Sequence, residues 1–464
     1  MSSNDSINDS IQKLNNQDQG KPKKRTRKKK VDTEENNKIN LLNLQEEAAQ
    51  EVSASLEIDD DKQEEKKQSD DMIQLDMTEL IKSKSDDKLS DNLQNKSIKQ
   101  VDKLNESYLS RIISDAMIKN VKTINKDIDL KILGKMLYNK KNYYCELECK
   151  LLDNSYYEKY KREEISDIDI YGVSFDNSLQ KIKIGFECKS TLNNGVDEIL
   201  KIKGIQAYNE LDIVGLLKKK VANNVRLIAE KIDVEVYDEH EITKIVSMLI
   251  EEYQVKFNQE KQIYILGQCI ETQLKNAIKG VVTFIKATNW TNKPYQNIHT
   301  IVRVLEHIRD NKQLTDYQYM YISIKLSILL SLAFLEICSN IIKTNLSNVE
   351  QAALDQVFGG ATERWEKSRT YDLISQELNK KVSPYPYYTK DYLSIISWII
   401  SSINHAGKIS LCLEEYLKCY LLNIEYSSLN LKFSDETLKL TKDILRFVSK
   451  ILEKNDLFKT IYKI

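Results

Sequence analysis

Two short segments near the middle of the chain alternate apolar and charged residues, IDIYG at 168–172 and IKIGFECK at 182–189. In an extended strand, such alternation places successive side chains on opposite faces of the sheet. The residues between them, Asp176 to Gln180, have the turn composition Asp-Asn-Ser. The sequence therefore predicts two adjacent antiparallel strands.

The alternation also predicts which side chains share a face of this hairpin. On the first strand, Ile168, Ile170 and Gly172 should lie on one side, with Asp167, Asp169 and Tyr171 on the other. On the second strand, apolar residues share one face, and charged residues share the other with Gly185. Asp169 and Glu187 are then expected to converge, with Lys189 one pleat further along.

Two converging carboxylates need compensation, because like charges opposite one another destabilise a sheet. A divalent cation supplies it, since Mg²⁺ is commonly held by one or two carboxylates together with water and phosphate oxygens. A neighbouring lysine can orient an attacking water or offset charge on a phosphate. Asp169, Glu187 and Lys189 therefore suit phosphodiester hydrolysis, and Asp167 is an auxiliary candidate. A solvated strand edge with a cross-strand ion pair is the alternative.

The run Asp169-Ile-Tyr-Gly, followed by Phe-Glu187-Cys-Lys189-Ser, resembles the D…(D/E)-x-K signature of the PD-(D/E)XK nuclease superfamily. Type IV restriction endonucleases and archaeal Holliday junction resolvases are the nearest members. The resemblance covers about residues 104–249 and implies a core of a helix, three strands, a helix and a further strand. The proline that gives the family its name is absent, because the chain has Ser166-Asp167-Ile168 before Asp169.

Segments with suitable periodicity follow the family's order of elements. They are a helix at Leu104 to Val121, strands at Asn142 to Asp153 and in the hairpin, a helix at Asp197 to Tyr208, a strand at Glu210 to Lys218, a helix at Asn224 to Ile232 and a strand at Asp233 to Tyr237. The implied fold is an α/β restriction-endonuclease-like domain, a mixed sheet flanked by helices, over residues 101–250.

The resemblance also implies roles for particular residues. Asp169 and Glu187 would be metal ligands for Mg²⁺ or Mn²⁺, and Lys189 the catalytic lysine. Glu106, early in the first helix, occupies the place of a further acidic ligand in many members. Gln206 follows the E-x-K strand at a place where resolvase-like members carry a polar residue near the site, and a surface role is its alternative.

The first hundred residues are rich in Asn, Asp, Gln, Lys, Ser and Glu and poor in aromatic residues. Such a composition cannot bury enough apolar surface to offset chain entropy, so residues 1–100 are predicted to be a disordered tail. A basic block in this tail could bind phosphates or act as a nuclear localisation signal. Its charged residues are Lys21, Lys23, Lys24, Arg25, Arg27, Lys28, Lys29 and Lys30. An acidic tract around residues 57–71 balances it, and the net charge of −1 identifies no partner.

Residues 251–464 contain successive helical patterns and predict an all-α domain of seven or eight helices. The first of these is expected at Ile263 to Thr288. The apolar run Leu326 to Leu335 is too short to span a bilayer and predicts a buried helix. Near Trp365, the residues Arg364, Lys367 and Arg369 could stack bases and bind phosphates, or could belong to a helix with a buried tryptophan.

The seven cysteines are scattered without C-x-x-C pairs, which predicts reduced thiols and an intracellular protein. The compartment would be the cytoplasm or nucleoid, or the nucleus in a eukaryote. Two functions remain open. One is a metal-dependent nuclease that acts on DNA, and the other is a catalytically inactive nuclease-fold module that binds nucleic acid or protein in a larger assembly. The helical domain could hold a protein partner or form a homodimer, and no membrane is expected.

Overall fold

The computed structural model describes residues 127–153, 163–191, 195–311, 313–344 and 348–459. The tail, its basic block at Lys21 to Lys30 and the helix predicted at Leu104 to Val121 lie outside the described residues. Everything described falls within a single compact unit, Asn92–Ile464.

A mixed sheet of five strands, in the order β1-β2-β3-β4-β5, forms the first half of the described chain. The first three strands are antiparallel neighbours, whereas β4 and β5 run parallel to β3. The strands are β1 Tyr144–Leu152, β2 Glu164–Phe175, β3 Lys181–Lys189, β4 Ile213–Lys218 and β5 Glu235–Asp238. The predicted mixed sheet and the antiparallel pairing of its central hairpin are confirmed. Asp176 closes that hairpin, because its carboxylate accepts the backbone N–H groups of Ser178 and Gln180.

Four helices flank the sheet: α1 Ile128–Lys140, α2 Val196–Asn209, α3 Asn223–Lys231 and α4 Glu239–Leu249. Buried residues of α1 and α4 share one core cluster with Ile170 and Phe186 of the central hairpin. Buried residues of α2 and α3 share the other cluster with Leu216 of β4, and much of the helical region packs there as well. Two layers of apolar side chains therefore enclose the hairpin from its two faces.

The remaining described residues are mainly helical, which confirms the predicted helical C-terminal region. Eight of the helices have ten or more residues: α5 Tyr253–Ala277, α6 Pro294–Asp310, α7 Asp316–Thr344, α8 Val349–Phe358, α9 Ala361–Glu377, α10 Thr389–Ser401, α11 Ile409–Leu422 and α12 Asp435–Ile451. The helix predicted at Ile263 to Thr288 was wrongly bounded. Helix α5 ends at Ala277, because Ile278 is extended, and Gly280 has a left-handed φ of 81°. A short helix, Val281–Thr283, and a π-helical segment, Phe284–Thr288, follow.

Helix α7 forms the centre of the helical region. Of the described helices, it alone is long and apolar enough to cross a membrane by length and composition. Its most apolar window is 94% buried by the rest of the protein, which is the arrangement of a core helix. The predicted buried helix at Leu326 to Leu335 is confirmed, although α7 extends well beyond that run at both ends.

Buried ion pairs join the sheet to the helical region. The Glu146 carboxylate of β1 accepts hydrogen bonds from Lys286 in the π-helical segment and from Lys325 of α7, the latter at 2.6 Å. Lys135 of α1 pairs with Glu414 of α11 at 2.7 Å. Buried charges are stable only when they are paired, so these contacts favour one fixed orientation of the helices on the sheet.

Candidate active site

The central hairpin brings Asp169, Glu187 and Lys189 to the same end of β2 and β3. The register pairs Ile170 with Phe186, so Asp169 and Glu187 follow as the next opposed positions. The Nζ atom of Lys189 lies 3.1 Å from Oε2 of Glu187. The three residues that the sequence predicts as catalytic are thus neighbours in the structure.

Both carboxylate oxygens of Asp169 have protein partners. Oδ1 lies 2.8 Å from the Nζ of Lys131, and Oδ2 accepts the backbone N–H of Cys188 at 2.7 Å. The same Lys131 donates to Oε1 of Glu148 at 3.0 Å. Lys131 therefore bridges an acidic residue of β1 and an acidic residue of β2.

The strict alternation expected for the first strand was wrong at Asp169. Ile170 packs in the cluster that contains α1, but Ile168 packs in the cluster on the opposite face. On the neighbouring strand β1, the side chains also change face, at Glu148, which lies opposite Asp169 and has a left-handed φ of 57°. This local departure from regular β geometry turns Asp169 and Glu148 toward Lys131.

Lys131 lies on helix α1, which was not among the elements predicted from the sequence. Its first turn is tied to the end of β3, because the Asp127 carboxylate accepts the backbone N–H of Ser190. The signal was present in the sequence, since Ile132, Leu133 and Met136 are spaced as one face of a helix. The resemblance instead suggested the first helix at the earlier segment, Leu104 to Val121.

The electrostatics of the cluster follow from burial. Glu187 is only 2% exposed, and burial together with the nearby charge of Asp169 raises the pKa of its carboxyl. Burial acts against the charged form of Lys189, but the Glu187 carboxylate outweighs it and raises the pKa of Lys189. Likewise, burial disfavours the Lys131 ammonium, yet Asp169 and Glu148 raise the pKa of Lys131 above its ordinary value.

One carboxylate oxygen in the cluster lacks a hydrogen bond. Oε1 of Glu187 is buried, and no donor among the described residues reaches it. The Nζ atom of Lys201 on α2 lies 3.9 Å from it, which is beyond hydrogen-bond distance. A buried anionic oxygen without a partner is costly, so this position is chemically suited to a cation.

The residues present fit a divalent metal held by few protein ligands. In the described part of the chain, no group of three or more His, Cys, Asp or Glu side chains is arranged to hold a metal ion. Mg²⁺ does not require such a group, because it keeps several waters and often takes only one or two carboxylates. Oε1 of Glu187 offers one such oxygen, and Asp169 is a second carboxylate, whose oxygens already contact Lys131 and the backbone N–H of Cys188.

The remaining predicted site residues have different positions. Asp167 is 72% exposed, with Lys201 at 3.9 Å as its ionic neighbour. Gln206 donates to the backbone carbonyl of Asp212, just before β4, at the opposite end of the parallel strands from Lys189. The structure therefore does not bring Gln206 to the carboxylates. Glu106 lies outside the described residues.

The basic and aromatic residues of α9 form a separate exposed feature. Trp365 is 61% exposed, and the guanidinium of Arg369 lies 5.7 Å from its ring centre. No residue of α9 is buried. The expectation of a buried tryptophan was therefore wrong.

Comparison of the chain with protein-family models, with curated proteins and with solved structures finds no match in any of the three. The candidate site is therefore defined by its own residues and their geometry.

Proposed function

We propose that the protein is a metal-dependent nuclease that hydrolyses phosphodiester bonds, with DNA as its substrate. The observation that carries the proposal is the buried Oε1 of Glu187, which accepts no hydrogen bond although the other oxygen of the same carboxylate pairs with Lys189. An oxygen in this state lowers its free energy by binding a cation, and the two carboxylates are the ligand type that Mg²⁺ and Mn²⁺ prefer.

The order of elements supports a restriction-endonuclease-like fold for the sheet region. Helix α1, three antiparallel strands, helix α2 and the parallel strand β4 follow one another in the order that the resemblance implies. The carboxylates and the lysine lie on the second and third of these strands. The resemblance and the chemistry of the site thus support the same class of protein.

Asp169, Glu187 and Lys189 would have different roles in the reaction. Asp169 and Glu187 would hold the metal, which supplies Lewis acidity and a water of lowered pKa when bound. Lys189 has only donors, and its side chain is 35% exposed, so it can reach a phosphate oxygen outside the cluster. There it would stabilise the negative charge that develops on the phosphorus oxygens.

A second candidate is a catalytically inactive nuclease-fold module that binds nucleic acid or protein. Its support is the saturation of Asp169, both of whose oxygens already have protein partners. Each carboxylate oxygen has two lone pairs, so such hydrogen bonds are compatible with a metal but do not require one. The two candidates differ in whether the parent protein cleaves nucleic acid.

A panel of end-labelled nucleic acids tests the proposal. The full-length protein is incubated with duplex, branched and single-stranded DNA and with RNA, in Mg²⁺, Mn²⁺ or EDTA. We expect cleavage of DNA with either metal and none with EDTA. Binding without cleavage in every condition would favour the inactive module instead.

A further inference from the structure

Lys131 occupies an unusual position in the candidate site. Its side chain is 3% exposed and its Nζ lies 3.0 Å from Glu148 and 2.8 Å from Asp169. Two carboxylates on adjacent strands that share one cation are the arrangement in which a metal ion is commonly found. Here the shared cation belongs to the chain itself.

The backbone around Lys131 is built to maintain this bridge. Glu148 adopts a left-handed φ of 57°, which is uncommon for a residue with a side chain, and the two paired strands change face at this point. Asp127, at the start of α1, is hydrogen-bonded to the backbone of Ser190 and so anchors the helix that carries Lys131. The bridge therefore rests on three separate elements, α1, β1 and β2.

We propose that the ammonium group of Lys131 is a built-in cation that takes the place of a second divalent metal between Glu148 and Asp169. This inference rests on the proposed nuclease function and makes it more specific. The site then holds one exchangeable metal, bound by Asp169 and Glu187, rather than two. Lys131 is a positioning residue, because it fixes Asp169 and neutralises Glu148 without touching the substrate.

The number of bound ions tests this proposal without any activity measurement. Titration calorimetry and the electron paramagnetic resonance signal of free Mn²⁺ count the ions that the full-length protein binds. We expect one ion for the parent and two for Lys131→Met, since the substitution empties the position between Glu148 and Asp169. Lys150→Met is the control, because Lys150 pairs with Glu164 at the surface and both side chains are about half exposed. It should bind one ion, like the parent.

A milder variant keeps the proposal testable if Lys131→Met fails to fold. Glu148→Gln retains Lys131 and should leave one ion bound with less than about a threefold change in affinity, because Glu148 faces Lys131 rather than the metal. Loss of the ion in Glu148→Gln, or equal ion counts in the parent and Lys131→Met, would overturn the built-in cation. A parent that binds no ion, while Lys131→Met binds one, would retain the built-in cation and contradict the proposed nuclease.

Discussion

Removal of the Lys131 ammonium should be among the most destabilising single changes in the sheet region. Lys131→Met keeps most of the apolar stem but leaves Asp169 and Glu148 without their shared partner, and the Asp169 side chain is only 13% exposed. Breaking a buried ion pair from one side costs about 3–5 kcal/mol. Glu148 is 34% exposed and can be solvated, so we expect the lower end, about 3 kcal/mol.

Urea denaturation and thermal unfolding of the metal-free protein measure this cost. At about 2.1 cal/mol/K per residue over a cooperative unit of roughly 300 residues, each kcal/mol corresponds to about 1.5 °C, so the midpoint of thermal unfolding should fall by about 4–5 °C. The control is Lys150→Met. Lys150 on β1 pairs with Glu164 on β2, the same two strands that carry Glu148 and Asp169, but both side chains of this pair are about half exposed. Such a surface pair should be worth about 0–1 kcal/mol. Equal losses in the two variants would refute the claim that Lys131 holds a buried acidic pair.

Three further results are expected. Burial and the charge of Asp169 raise the pKa of Glu187, so the folded state holds this proton more tightly than the unfolded state does. The metal-free protein should therefore lose stability as the pH rises from about 4.5. Urea titrations at several pH values should show a flatter slope for Glu187→Gln. Glu146→Gln should cost about 3–5 kcal/mol, because it removes the carboxylate that pairs with the buried Lys325, whereas Lys286 keeps Glu271. The unfolding midpoints of sheet and helices should fall together. Separate transitions by circular dichroism and tryptophan fluorescence would contradict a shared core. A chain that begins near Gln100 should bind DNA with a shallower dependence on salt than the full chain. The logarithmic slope should fall by about 0.9 for each phosphate that the block Lys21 to Lys30 contacts. Identical slopes for the two chains in fluorescence anisotropy would show that the tail does not contact DNA.

The sequence allowed the central hairpin to be predicted because its signals are local. Alternation of apolar and polar residues placed Glu187 and Lys189 on one strand, and the Asp-Asn-Ser turn fixed the antiparallel partner. The register also brings Asp169 next to Glu187 along the paired strands, although the direction of the Asp169 side chain departs from simple alternation. For such short-range features, residue type and spacing contain most of the structural information.

The features that the sequence analysis missed depend on contacts between distant segments. The left-handed conformation of Glu148 and the change of face at Ile168 are set by packing on both sides of the sheet. Lys131 resembles any helical lysine in sequence, and only the folded chain brings it to carboxylates 17 and more residues away. The buried pair of Lys325 with Glu146, 179 residues apart, could not be predicted from local periodicity either.

The most direct test of the central claim is cleavage of labelled DNA by single variants of the hairpin, measured beside the parent in Mn²⁺. Asp169→Asn and Glu187→Gln should abolish cleavage, and Lys189→Ala should slow it by about 10²–10³-fold while Mn²⁺ binding stays near the parent's. Lys150→Ala, on the neighbouring strand, should cleave like the parent. Undiminished cleavage by Glu187→Gln would contradict the assignment of this cluster as the active site.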